Sequence, residues 1–158
     1  MRIGEIITAL EEWAPPALQE SYDNSGLIVG NSDWETQGVL VALDCLESVV
    51  DEAIEKKVQF IVAHHPIVFS GLKRFNGHTY IERVIMKAIK HNIAIYAIHT
   101  NLDNVLWGVN AKIMSLLGVT DHKVLSPMPD ALYKFQVYVP VMNRDALAAA
   151  VFAAGGGK

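Results

Sequence analysis

The chain has 158 residues, 51% of them hydrophobic and 19% charged, with a formal net charge of −4. That is enough chain to bury one ordinary core, and it carries no basic excess to neutralise a phosphate backbone, which makes nucleic acid a poor partner. The one cysteine, Cys45, excludes an internal disulfide and follows a Val/Leu run that would bury it, as suits a reducing compartment.

Ile3, Ile6, Ile7 and Leu10 recur at helical spacing until Pro15 and Pro16 stop the pattern, so the first element is an amphipathic helix. Its acidic residues and interrupted apolar stretches do not make a signal peptide. No later segment is apolar enough to cross a bilayer, and the expected location is the cytoplasm. Ser21 to Gly26 is a turn rich in Asx residues, and Leu27 to Gly30 reads as a short strand. Gly38 to Asp44 is apolar almost throughout, the pattern of a strand covered on both faces, and Glu47 to Lys57 continues as a helix.

The unit repeats. Gln59 to Ala63 predicts a buried strand, Tyr80 to His91 a helix, and Ile93 to Ile98 the next strand. A helix across Val109 to Leu117 closes at Gly118. Strands alternating with helices imply βαβ units, right-handed crossovers and a largely parallel sheet, hence an α/β class. Beyond Thr120 the pattern predicts strands at Lys123 to Leu125 and Leu132 to Val139, with a loop holding Pro127 and Pro129 between them. Asn143 to Ala154 reads as an Ala-rich helix with Asn143 as its N-cap.

Ligands of open parallel sheets collect beyond the carboxyl ends of the strands. Two polar clusters sit there. One buried strand runs into a loop of His64-His65-Pro66, the next into a loop of His99-Thr100-Asn101-Leu102-Asp103-Asn104. If the strands are neighbours, three imidazoles and a carboxylate converge. Pro66 places His64 and His65 at the transition from strand to loop. Splayed there, they suit two ions better than one shared ion, with Asp103 as the bridge between ions roughly 3.5–4 Å apart. Imidazole and carboxylate suit Zn²⁺, Mn²⁺, Fe²⁺, Co²⁺ or Ni²⁺ without choosing among them. His99 is open to three roles: ligand, hydrogen-bond partner of a ligand, or proton carrier. Asp44 either approaches the same pocket or starts the following helix. Ser70 to Arg74 sets two cations near the histidine pair, as a solvated loop or as a contact for an anionic substrate. No dinucleotide fingerprint and no P-loop sequence occurs.

The segments YDNSGLIVG, LVALD, IVAHHPIVFSGLK and IAIYAIHTNLDN, with GVN after them, occur in this order. Together they resemble the NGG-interacting-factor-three-like family of dinuclear-metal proteins, also known as homologues of GTP cyclohydrolase I type 2. The resemblance runs from Met1 to about Gly118. It implies a three-layer α/β/α core with a largely parallel mixed sheet over residues 1–126. It also implies two metal ions held in part by His64, His65 and Asp103, with His99 lining the site. Activity would be that of a metal-dependent hydrolase on an unknown small-molecule substrate, with His99 managing protons. The alternative is a non-catalytic metal-binding scaffold acting through protein partners. Ring-like homo-oligomers are implied as well. Residues 127–158 resemble the opening of a small α+β inserted domain, so the resemblance implies a chain that stops within it. The family's remaining ligands, a histidine and a glutamate far along the chain, have no counterpart: no histidine occurs after His122 and no glutamate after Glu82. Trp107 stands where relatives often carry a second glycine.

Overall fold

The computed structural model describes residues 1–127 and 134–157. The chain forms two compact units, Met1–His122 and Lys123–Lys158, whereas the sequence suggests a boundary after residue 126.

The first unit is built on four short strands, β1 (Gly26–Val29), β2 (Val39–Ala42), β3 (Phe60–Ala63) and β4 (Ala94–Ala97), in the order β1-β4-β3-β2. β2, β3 and β4 run parallel, with Ala42, Ala63 and Ala97 in register at their carboxyl ends, and β1 pairs antiparallel with β4. The two central strands, FIVA and AIYA, are buried at every position, as expected of strands covered on both faces. Their side chains alternate between two cores. Ile61, Ala63 and Ile95 pack with Val50, Ala53, Val84 and Ala88 from α2 (Glu47–Glu55) and α3 (Tyr80–Lys90). Phe60, Val62, Ala94 and Tyr96 pack with Ile3, Ile6, Ile7 and Leu10 from α1 (Ile3–Trp13). Helix, sheet and helix thus form three layers, the expected α/β architecture. Each buried Ile or Val contributes about 1.5–3 kcal/mol to holding them together.

α1 begins without a side-chain cap, and its first amides find other acceptors. Ile3 donates to the Trp34 carbonyl and Gly4 to that of Ser32, at 2.9 and 2.8 Å. Cys45 is buried in the core on the α2 side, and burial pushes its thiol up to about 12.

The structure corrects four local expectations. β2 is not covered on both faces: it is an edge strand, and Val41 is 76% exposed while Leu40 packs inward. An apolar run distinguishes strand from loop but not a central strand from an edge one. Lys123 to Leu125 forms no strand, and neither do residues 134–139 of the expected strand Leu132 to Val139. Strand-like composition without a neighbouring strand to complete its hydrogen bonds does not make a strand. Pro129, Leu132 and Tyr133 lie outside the described residues. The helix expected from Asn143 is α6 (Arg144–Ala153), preceded by a 3₁₀ turn over Val141–Asn143, and the Asn143 side chain makes no capping bond. Finally, the segment after His99, read as a loop, is a one-turn helix, α4 (Thr100–Asn104), followed by α5 (Val109–Leu116).

Candidate metal centre

β3 and β4 are parallel neighbours in register, so the residues after Ala63 lie beside those after Ala97. The ladder reaches slightly past the strands: the Ile98 amide donates to Ala63, His64 to Ala42 and His65 to Leu43. Beyond β3 the chain bends at His64-His65 ahead of Pro66, and both rings come to the same place. Their centroids lie 5.0 Å apart, and that of His99 lies 5.3 Å from His64 and 5.6 Å from His65. One ring nitrogen from each of the three lies within 4.8 Å of the others, a grouping able to hold a metal ion. The bend thus offsets the alternation that would have splayed the pair.

Each imidazole is anchored through Nδ1. His64 Nδ1 donates to the Ile98 carbonyl at 2.9 Å, His65 Nδ1 to Asp44 Oδ1 at 2.8 Å, and His99 Nδ1 to Asp23 Oδ1 at 2.8 Å. A carbonyl or a carboxylate only accepts, so Nδ1 carries a proton, and in the neutral ring the lone pair is on Nε2. Anchored rings with a free second nitrogen are the arrangement found where histidine binds metal. The donor set therefore suits a divalent ion. Asp103 Oδ1 lies 3.7 Å from His64 Nε2, which brings all four sequence-predicted residues to one locality. His64 and His99 are largely covered, about one fifth exposed, while His65 and Asp103 face solvent more openly.

Asp23 was not foreseen. Its side chain is fully buried, and besides His99 it accepts from the Thr100 amide at 3.1 Å, the Ser25 hydroxyl at 2.8 Å and the Asn24 amide at 2.6 Å, and from the Thr100 hydroxyl. Burial pushes its carboxyl up, but the hydrogen bonds from His99, Thr100, Ser25 and Asn24 outweigh it and hold the group well below the usual carboxylate range. The sequence shows Asp23 only as a turn former. The signal was the antiparallel edge: Gly26 pairs with Ala97, so residues before Gly26 must lie opposite residues after Ala97. Asp44, open to two roles from sequence, takes the first: its side chain holds His65, while α2 has Leu46 at its N-cap and no side-chain cap.

The rest of HTNLDN fastens α4. The Asn101 side chain, 1% exposed, donates to the Ala14 carbonyl and accepts from the His99 amide. Leu102 packs against the α1-side core, and Asn104 donates to the Leu18 carbonyl and to Glu20. The Asn110 side chain donates to the Asp103 carbonyl. Trp107 is 70% exposed, and the glycine this loop requires is Gly108, where a Cβ would stand 1.9 Å from the Leu102 carbonyl oxygen.

Known proteins resemble the chain over most of its length. A protein of Halalkalibacterium halodurans named "GTP cyclohydrolase 1 type 2 homolog" is 43% identical over 153 residues, which is 96% of this chain and 41% of that protein. A Bacillus subtilis protein of the same name is 42% identical over 97% of this chain and 41% of its own. The crystal structure of a Bacillus cereus protein related to NIF3 superposes with a TM-score of 0.79 at 35% identity, covering 100% of this chain and 44% of that one. The chain thus spans about two fifths of the length of the curated relatives it matches. The Duf34/NIF3 (NGG1p interacting factor 3) profile matches residues 1–155, and the chain belongs to that family.

Proposed function

We propose that His64, His65 and Asp103 hold two divalent metal ions and that the whole protein is a metal-dependent hydrolase in which His99 carries protons. The observation that supports this most is the convergence of three imidazoles, each fixed through Nδ1 with Nε2 free. When bound, divalent ions supply Lewis acidity and lower the pKa of water. The chain's own residues do the rest. His64 and His65 present fixed lone pairs. Asp103, whose Oδ1 lies 3.7 Å from His64 Nε2, would add a carboxylate to the same metal-binding group. His99 Nε2 takes a proton from the attacking water and returns it to the leaving group, while the buried Asp23 carboxylate keeps Nδ1 protonated and the ring in place.

The name shared by the curated relatives favours a nucleotide or pterin-like substrate for the whole protein. Catalysis is tested by supplying Mn²⁺, Fe²⁺ or Zn²⁺ and assaying phosphoester, amide and GTP hydrolysis beside an Asp103→Ala control. Activity that depends on Asp103 is expected, and equal turnover by both proteins would remove the mechanism. Metal content after dialysis separates the role of His99 from that of a ligand. His99→Ala is expected to keep its metal and lose turnover, whereas loss of metal would make His99 a ligand.

A further inference from the structure

Two aromatic side chains stand in water at the mouth of the histidine cluster. Phe69 is 51% exposed and lies 6.4 Å from His99, edge to face at 87°. Tyr22 is 65% exposed and lies 6.4 Å from Phe69 at an interplanar angle of 51°. Neither ring stacks flat on a neighbour, so both keep a face for a flat ligand. Their positions are fixed from the chain behind them. The Asn24 side chain donates to the Val68 carbonyl at 2.6 Å, tying the segment that carries Tyr22 to the segment that carries Phe69. Between Tyr22 and Asn24 lies Asp23, which holds His99. One triplet, Tyr22-Asp23-Asn24, thus supplies a ring, anchors a histidine and braces the second ring. The exposed area of these rings contributes nothing to the core, because the hydrophobic gain comes from area removed from water. A flat, desolvating ligand would recover it.

We infer that Tyr22 and Phe69 form a stacking platform for a planar heteroaromatic ring of the substrate, beside the metal-binding histidines. The inference rests on the metal-hydrolase reading and names the class of compound that site accepts. Aromatic stacking is worth about 1–3 kcal/mol per ring, so the platform should favour a ring-bearing ligand by about fivefold or more.

A matched pair of probes isolates the ring: acetohydroxamate and benzohydroxamate carry the same metal-chelating group and differ only in the aromatic ring. Binding of each to the zinc-supplied 158-residue chain is measured by calorimetry, with zinc-free chain alongside. Benzohydroxamate is expected to bind about fivefold or more tighter. In Phe69→Leu and Tyr22→Leu the ratio of the two affinities should shrink toward about twofold, while Phe69→Trp preserves it. Using the ratio cancels any change in chelation, and circular dichroism checks that the variants fold. Equal affinities in the wild type, or a preference that survives both leucine substitutions, would overturn the platform. Zinc-dependent binding of both probes without a ring preference would overturn the platform alone, whereas failure of both to bind would overturn the metal reading with it.

Discussion

Asp23 shows how much of the histidine cluster is held from behind. Its carboxylate meets His99 from behind, at Nδ1, and so sets which nitrogen carries the proton and where the ring points. Asp23→Asn keeps the shape and removes the charge that Thr100, Ser25 and His99 all address. Losing such a partner commonly costs about 10–100-fold in metal affinity or activity. A fall of that size is expected in turnover, with zinc retained as in His99→Ala, and unchanged turnover would show that the dyad is ornamental. A second carboxylate, Glu82, serves the fold. Burial pushes it up, but hydrogen bonds from the Asn76 amide, the Thr79 hydroxyl and the His78 and Gly77 amides hold it below the ordinary 4.5. A lowered carboxyl gives stability that is complete above its unfolded value and is lost as pH falls through its folded one. The difference in melting temperature between the wild type and Glu82→Gln should therefore be largest near neutrality and shrink below about pH 4. A difference that does not vary with pH would contradict this.

Among the elements, the difference between β2 and β3 is the most instructive. Both are short apolar runs, but Ile61 is fully buried between layers and Val41 is mostly in water. Ile61→Ala is expected to cost about 2–5 kcal/mol in denaturant unfolding, and Val41→Lys no more than about 0.5. Equal losses would mean that β2 is covered after all. Gly30 adds a test of close packing. It has φ near +100°, and a Cβ there would stand 2.6 Å from that of Ala94. Gly30→Ala should cost about 2 kcal/mol or more from strain and overlap together.

At the scale of the whole molecule, the sequence discloses what rests on local periodicity and on parallel order. Ile3, Ile6, Ile7 and Leu10 mark α1, and FIVA and AIYA mark the central strands. Because consecutive parallel strands tend to be neighbours, the meeting of His64 and His65 with His99 and Asp103 could be read before any coordinates. The hidden part depends on pairing between distant segments. Nothing local in Leu27 to Gly30 says that β1 runs antiparallel against β4, and only that pairing brings Asp23 to His99. Nor does composition say that Val39 to Ala42 lies at an edge. Among the described residues no helix is long and apolar enough to cross a membrane. The central claim is that the histidine cluster binds metal, and metal analysis by mass spectrometry after zinc equilibration and desalting tests it most directly. The wild-type chain should retain zinc and the His64→Ala/His65→Ala double variant should lose it; a wild type without zinc, or equal retention by both, would contradict the account.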